Sequence, residues 1–221
     1  GLPSRLDGEF AFAAWDEVNR RFFAARDPFG AKPCFLLEQS WGIAFASEPK
    51  QLLCLPGVHA EPDPLIVAEY LFLRFQEFER TFFKGVRRVL PAHIASTHNR
   101  GSVEQQRWWH PALEEQARFP DHESYFRHFR ELLEQAIDKR LDTDFAVGCH
   151  LSGGLDSGSI VLLADQLYRR HGRERPPFDT IAAKYLQPDC NEGPQIEAVV
   201  RATRFRNHAF DADGPGLFKD L

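Results

Sequence analysis

One short segment restricts the fold of this chain more than any other: residues 151–157, which read Leu-Ser-Gly-Gly-Leu-Asp-Ser. The residues before it, 145–151, are an apolar run of strand length. The residues after it, 157–171, carry apolar side chains at helical spacing. Two adjacent glycines at this junction indicate a tight turn whose main-chain N–H groups are open to an anion. Strand, turn and helix in this order predict one unit of an α/β fold with a parallel sheet.

The remainder of the second half continues the same alternation. Residues 179–185 predict a second strand, 193–202 a second helix and 207–210 a third strand. An amphipathic helix is predicted over 123–141, because apolar residues recur there every three or four positions: Phe126, Phe129, Leu133, Ile137 and Leu141. The pattern indicates a parallel, doubly wound sheet, in which ligands bind at the carboxyl ends of the strands.

The first half has a different character, with short strands and turns. Hairpins are predicted for three pairs of segments, 10–15 with 21–26, 34–37 with 41–46, and 92–97 with 104–109. A helix is expected over 64–75 with one apolar stripe: Leu65, Ala68, Leu71, Phe72 and Phe75. We therefore expect two domains, a β-rich α+β part at 1–112 and an α/β part at 123–221, joined by a polar linker at 113–122.

Charge and composition exclude several classes of protein. Lysine and arginine number 27 against 32 aspartates and glutamates, a formal charge of −5, which disfavours binding to nucleic acid or to an anionic membrane. No apolar run is long enough for a membrane helix. The four cysteines show no zinc-ligand spacing, so reduced thiols and a cytoplasmic location are expected. The chain has no methionine, and we expect it to be an internal piece of a longer protein with both domains incomplete.

The residue types in the turn point to a phosphate ligand. Ser152 and Ser157 add hydroxyl donors, and the start of the following helix adds a positive dipole end. The turn is not a Walker A loop, because Ser159 stands where lysine is required. A carboxylate at Asp156 would repel phosphate unless a cation bridges the two, and Mg²⁺ suits that role.

The turn resembles the pyrophosphate loop of the ATP pyrophosphatases, also called the PP-loop or adenine nucleotide α-hydrolase family. The pattern of that family, Ser-Gly-Gly-x-Asp-Ser, is complete at 152–157. Upstream, residues 6–16, the motif Ala-Arg-Asp-Pro-Phe-Gly-Ala-Lys-Pro at 25–33, and Ala-Ser-Glu at 46–48 resemble the later half of a class II glutamine amidotransferase domain. The order of the two modules resembles the asparagine synthetase family over nearly the whole chain.

This resemblance implies a carbon–nitrogen ligase of asparagine biosynthesis. Such enzymes adenylate a carboxylate, here expected to be aspartate, release pyrophosphate, and amidate the product with ammonia derived from glutamine. ATP and Mg²⁺ are implied as cofactors, with small-molecule partners only and a homodimer as an allowed assembly. The implied ATP- and pyrophosphate-binding residues are Leu151, Ser152, Gly153, Gly154, Leu155, Asp156, Ser157 and Ala183, and Asp156 is also expected to hold Mg²⁺ through the pyrophosphate.

The chain also departs from the family pattern. The class II nucleophile is a cysteine at the mature amino terminus, whereas residue 1 is glycine and Cys34 is expected to be a small core residue. No catalytic residue is therefore expected within these 221 residues, and we expect this piece to be inactive by itself. Two alternatives stay open: a lasso-peptide or β-lactam type of cyclase with an inactive amidotransferase domain, and an ATP-binding scaffold without catalysis.

Several polar residues outside the loop are further site candidates. Arg26, Asp27 and Lys32 are expected to lock a turn rather than to bind an anion. The polar residues Asp189, Asn191 and Glu192 follow the second predicted strand of the α/β part and face the nucleotide side, without an assigned role. His208 near the last strand is equally compatible with a core and with a functional position.

Overall fold

The computed structural model describes residues 2–97, 102–112, 118–171 and 177–212. The polypeptide forms two compact units, Gly1–Gln116 and Ala117–Leu221. Each unit has its own hydrophobic core. Among the described residues, none of the helices combines the length and the apolar character that crossing a membrane requires.

The first unit is built from antiparallel strands. Its described elements are β1 (Ala11–Asp16), β2 (Arg21–Arg26), β3 (Phe35–Gln39), β4 (Gly42–Ala46), α1 (Pro49–Leu53), α2 (Pro64–Leu71), β5 (Val86–Arg88), β6 (His93–Thr97) and β7 (Val103–Arg107). They form a four-stranded sheet in the order β1-β2-β6-β7 and a three-stranded sheet in the order β4-β3-β5. The three predicted hairpins are confirmed as the pairs β1 with β2, β3 with β4, and β6 with β7. The predicted turn of the last hairpin lies outside the described residues.

The three-stranded sheet is buried on both faces. Leu36 and Leu37 are neighbours on β3, so their side chains point to opposite faces, and both are fully buried. Leu36 belongs to the core shared with the four-stranded sheet, whereas Leu37 packs with Leu52 of α1. The unit therefore has three layers, namely the four-stranded sheet, the three-stranded sheet and helix α1.

The predicted helix over 64–75 was too long, and its predicted stripe is not the buried one. The structure ends α2 at Leu71, and its buried residue is Ile66. The Glu69 carboxylate accepts hydrogen bonds from the backbone N–H groups of Gln76 and Glu77, which turns the following chain back toward the helix. Most of the predicted stripe faces solvent, with Leu71 72% and Phe72 77% exposed.

The second unit alternates helices and parallel strands. Its described α-helices and strands are α3 (His122–Leu141), β8 (Val147–His150), α4 (Leu155–His171), β9 (Phe178–Lys184), α5 (Gly193–Ala202) and β10 (Arg206–Asp211). The strands form a parallel sheet in the order β10-β9-β8. The predicted α/β alternation is therefore confirmed for the described residues.

The described part of this sheet is wound on one side only, so the expected double winding was wrong for it. Core residues of all three helices, among them Ile137, Val161 and Ile196, cluster with Phe178 and Ala182 on one face of β9. On the other face, Ile181 is 38% exposed. Right-handed crossovers between strands in sequential order place every connecting helix on the same side, which explains the one-sided cover.

Helix α3 has the predicted position but only half of its predicted apolar face is buried. Ile137 and Leu141 join the core near its carboxyl end, and Leu133 packs against them. Phe126 and Phe129 are 67% and 66% exposed. Asp121 starts the helix, because its carboxylate accepts from the Ser124 N–H at 2.7 Å.

Candidate functional site

The predicted phosphate loop lies at the carboxyl end of β8. The Leu151 N–H donates to the Ile181 carbonyl at 2.8 Å, which carries the strand pairing one residue past β8, and the Leu151 side chain is buried. Helix α4 begins at Leu155. Only residues 152–154 connect strand to helix, so the loop opens at the sheet edge where α/β proteins bind ligands.

Two serine hydroxyls join the ends of this loop. The Ser157 Oγ accepts from the Ser152 N–H at 3.1 Å and lies 3.0 Å from the Ser152 Oγ. The Gly158 N–H donates to the Gly154 carbonyl at 3.0 Å and starts the hydrogen bonding of α4. The sequence predicts both hydroxyls as ligand donors, and the structure shows that they also hold the shape of the loop.

Gly153 is the one loop residue with a positive φ, +84°. This left-handed conformation costs a side chain energy, and glycine adopts it freely. A Cβ atom placed on Gly153 would also lie 2.7 Å from the Cβ of Glu192, closer than real Cβ atoms come. Both observations explain why the position carries glycine.

Asp156 stands at the mouth of the loop, in the first turn of α4. It is exposed, and among the described residues no hydrogen bond or ion pair occupies its carboxylate. The N–H groups of Leu155, Asp156 and Ser157 have no acceptor within the helix, because the first turn of any helix lacks one. The site therefore combines N–H donors and a helix dipole for an anion with a free carboxylate for a cation.

The surroundings of Asp156 fit a cation shared with a ligand. Within the described ranges, no group of three or more His, Cys, Asp or Glu side chains is placed to hold a metal ion. A Mg²⁺ ion at Asp156 would therefore take its other oxygen ligands from phosphates and water, which is its usual arrangement with nucleotides. The donor set fits magnesium bound together with ATP.

The other predicted nucleotide contact, Ala183, lies on β9. It is half-buried and follows Ile181, the residue that receives the Leu151 N–H, by two positions. This position places Ala183 at the same edge of the sheet as the loop. Leu155, by contrast, extends into solvent and is 89% exposed. The binding roles of both residues remain predictions.

The turn that contains Arg26 and Asp27 in the first unit satisfies both charged side chains with hydrogen bonds to its own backbone and to Val89. Asp27, only 1% exposed, accepts hydrogen bonds at 3.0 Å from the N–H groups of Phe29, Ala31 and Lys32. The Arg26 guanidinium donates to the carbonyls of Gly30, Lys32 and Val89. Burial alone would raise the pKa of Asp27, but the backbone hydrogen bonds outweigh it and hold that pKa below its usual value. This turn leaves neither charged group open to a ligand.

Cys34 has the core position that was predicted for it. Its side chain is 4% exposed and packs with Leu36 and Val89. Burial raises the pKa of the Cys34 thiol, which keeps it protonated and a poor nucleophile.

The four polar candidates of the second unit lie in different surroundings, and the Asn191 side-chain oxygen accepts from the Gly193 N–H at 2.9 Å. Asp189 is exposed on a short 3₁₀ helix, Pro188–Cys190, and Glu192 lies directly against Gly153 of the loop. The His208 Nε2 lies 2.7 Å from the Asp179 Oδ2 on the open face of the sheet, so His208 is not a core residue. Sequence reasoning placed Glu192 on the nucleotide side, but the contact with Gly153 had no signal in the sequence.

Comparison with known families identifies both units. Residues 2–109 match the glutamine amidotransferase domain family, and residues 128–220 match the asparagine synthase family. An antiparallel first unit followed by a parallel unit with an open loop thus corresponds to an amidotransferase module joined to a synthase module.

Similar proteins align with nearly the whole of this chain. Asparagine synthetase [glutamine-hydrolyzing] 3 of Bacillus subtilis is 31% identical over 214 residues, covering 92% of this chain and 34% of that protein. Amidase chyE of Penicillium rubens is 34% identical over 211 residues, covering 90% of this chain and 30% of that protein. The chain belongs to the asparagine synthetase family, and it spans about a third of the length of the relatives it matches.

Proposed function

We propose that the protein is an ATP-dependent amide-forming ligase of the asparagine synthetase type. It adenylates a carboxylate, with aspartate as the expected substrate, releases pyrophosphate, and transfers ammonia derived from glutamine to the activated carbonyl. One observation carries this proposal: the loop between β8 and α4, at the carboxyl edge of a parallel sheet, combines open N–H donors with the Asp156 carboxylate, which has no partner among the described residues.

The chemistry follows from what the loop offers to a triphosphate. When the carboxylate oxygen attacks the α-phosphate, negative charge increases on the departing pyrophosphate. The first-turn N–H groups of α4, preorganised around Gly154 and Ser157, stabilise that charge without reorganising. Mg²⁺ held at Asp156 would add positive charge at the same phosphates. The loop and Ala183 hold the nucleotide in position, so that the attacking oxygen meets the phosphate in line.

The first unit supports a role in supplying ammonia. It has the antiparallel two-sheet architecture described above and matches the amidotransferase family over residues 2–109. Buried Cys34 is unsuited as a glutaminase nucleophile, so we assign no catalytic residue for glutamine hydrolysis within the described part of the chain. Family membership also supports a cytoplasmic ligase with small-molecule substrates, and a homodimer remains a prediction.

Product analysis of the full-length protein tests the proposal. The protein is incubated with ATP, Mg²⁺ and aspartate, with either glutamine or ammonia as the nitrogen donor. We expect AMP, pyrophosphate and asparagine in equal amounts. Formation of ADP in place of AMP, or no ATP-dependent product with either donor, contradicts the proposal.

A second candidate is an amide-forming cyclase, of the lasso-peptide or β-lactam type, with an inactive amidotransferase unit. The observation that favours a substrate other than aspartate is that one relative of similar identity, amidase chyE at 34%, is not named an asparagine synthetase, whereas relatives at 31% and 33% are. The two candidates share the adenylation step and differ in the acyl substrate. AMP formation that needs another carboxylate, with no asparagine from aspartate, supports the cyclase.

A further inference from the structure

The turn that follows β9 packs directly on the phosphate loop. A Cβ atom on Gly153 would lie 2.7 Å from the Glu192 Cβ, 3.1 Å from the Glu192 carbonyl oxygen and 3.4 Å from the Gln195 Cβ. The 2.7 Å distance to the Glu192 Cβ is shorter than real Cβ contacts, and the 3.1 Å distance to the Glu192 carbonyl oxygen is shorter than most of them. Gly153 therefore rests against a surface made by the main chain and the first side-chain atom of Glu192.

This surface is anchored to the core of the second unit. The Glu192 carbonyl accepts from the Ile196 N–H at 3.0 Å, and Ile196 is 2% exposed within the hydrophobic cluster. The Asn191 side-chain oxygen accepts from the Gly193 N–H at 2.9 Å and fixes the approach to α5. Glu192 is thus fixed by helix α5, which packs into the core, and its contact with Gly153 restricts the conformation of the loop.

We propose that Glu192 is a positioning residue for the phosphate loop. Its Cβ and carbonyl form a wall behind Gly153 that keeps this flexible glycine in the left-handed conformation, so that the loop amides face the pyrophosphate before ATP arrives. A loop without this wall has to be ordered when ATP binds, and the ordering lowers affinity. The inference rests on the proposed function, because it assigns a role within the same ATP site.

A double-mutant cycle at Gly153 and Glu192 in the full-length protein tests this contact. The measured quantity is the KM for MgATP in ATP-dependent pyrophosphate release. Gly153→Ala introduces both the clash and the strained φ, and we expect KM to rise at least about tenfold. Adding Glu192→Gly removes one clashing Cβ, and we expect the double variant to recover at least about fivefold of that loss. Glu192→Gly alone raises KM about threefold, whereas Glu192→Ala keeps the Cβ and stays within about twofold of wild type.

The matched control is Gly148→Ala on β8, where a new Cβ would meet the Ile181 side chain at an ordinary 3.9 Å. We expect its KM to stay at the wild-type value. A general loss of folded protein would lower the apparent kcat and leave KM unchanged, so the KM measurement separates positioning from destabilisation. If Gly153→Ala does not fold, the comparison of Glu192→Gly with Glu192→Ala decides.

Three results overturn the inference. They are an unchanged KM in Gly153→Ala, equal KM values for that variant and for the double variant, or equal KM values for Glu192→Gly and Glu192→Ala. Each leaves the proposed function intact, because wild-type activity is present. A wild-type protein without ATP-dependent pyrophosphate release removes the proposed function, and this inference with it.

Discussion

Two turns of this chain contain the same kinds of residues and have opposite characters. Residues 27–32 of the first unit and 151–157 of the second each follow a strand and each carry an aspartate and glycine. In the first turn, Asp27 is buried and its oxygens accept three backbone N–H groups. In the second, Asp156 is exposed and, within the described part of the chain, its carboxylate is unoccupied.

The difference shows that residue type alone does not distinguish a structural turn from a binding loop. What distinguishes them is whether the polar groups find partners inside the protein. The Asp27 turn satisfies its donors and acceptors and is rigid by itself, and a ligand would have to compete with those bonds. Within the described residues, the Asp156 loop leaves a carboxylate and a helix start open, and the proposed ligand, which brings both anion and cation, would complete these groups.

The largest expected effect lies at the open aspartate. Asp156→Asn removes the charge that would hold Mg²⁺ while keeping the shape of the side chain, so AMP formation by the full-length protein should fall at least about 100-fold. Thermal unfolding should be nearly unchanged, because Asp156 has no partner among the described residues. The exposed Asp144→Asn is the control and should keep wild-type AMP formation. Full activity in Asp156→Asn would remove Asp156 from the ATP site.

Substitution of the buried Asp27 should lower stability, whereas substitution of Asp156 should lower activity. Asp27→Asn turns a donor toward the Lys32 N–H, and we expect the first unit to lose about 1–3 kcal/mol of stability. The four tryptophans of these 221 residues, Trp15, Trp41, Trp108 and Trp109, belong to this unit, so tryptophan emission during urea unfolding of the 221-residue chain reports the first unit selectively. The exposed Glu104→Gln serves as control. An unchanged unfolding midpoint would show that the buried bonds contribute no net stability.

The same carboxylate predicts a pH dependence. Because the pKa of Asp27 is lowered in the folded protein, its stabilising contribution is complete above the unfolded pKa of about 4 and is lost as the pH falls through the lower folded value. Acid should therefore destabilise the wild type more steeply than Asp27→Asn, as measured by urea unfolding at pH values from about 5 to 2. Parallel pH profiles for the two proteins would contradict the assignment.

The smallest expected effect concerns the hydroxyl that joins the ends of the open loop. Ser157→Ala removes the acceptor of the Ser152 N–H, a neutral hydrogen bond whose loss corresponds to about 2- to 12-fold in the KM for MgATP. Ser159→Ala, an exposed position on α4, should leave KM unchanged. A Ser157→Ala loss as large as that of Asp156→Asn would mean that this hydroxyl contacts the phosphates themselves.

Periodicity predicted the elements better than it predicted their burial. Ile137 and Leu141 are buried as expected, but Phe126 and Phe129 on the same stripe are exposed. The reason is that the core of the second unit contacts only the carboxyl half of α3. The apolar spacing at 64–75 likewise predicted a helix, but the helix ends at Leu71 and Leu73 takes a left-handed φ of +52°, so the rest of the stripe is not helical. Spacing reports which side chains share a face, and not what lies opposite that face.

The sequence by itself determined the order of strands and helices, the parallel sheet, and the place of the Gly-Gly loop between a strand and a helix, because these depend on residues that are neighbours along the chain. Only the tertiary structure decided that Asp27 is enclosed, that the helices cover one face of the sheet, and that Glu192 rests against Gly153. Those features depend on contacts between segments distant in sequence, whose geometry is set by how the units pack around their cores.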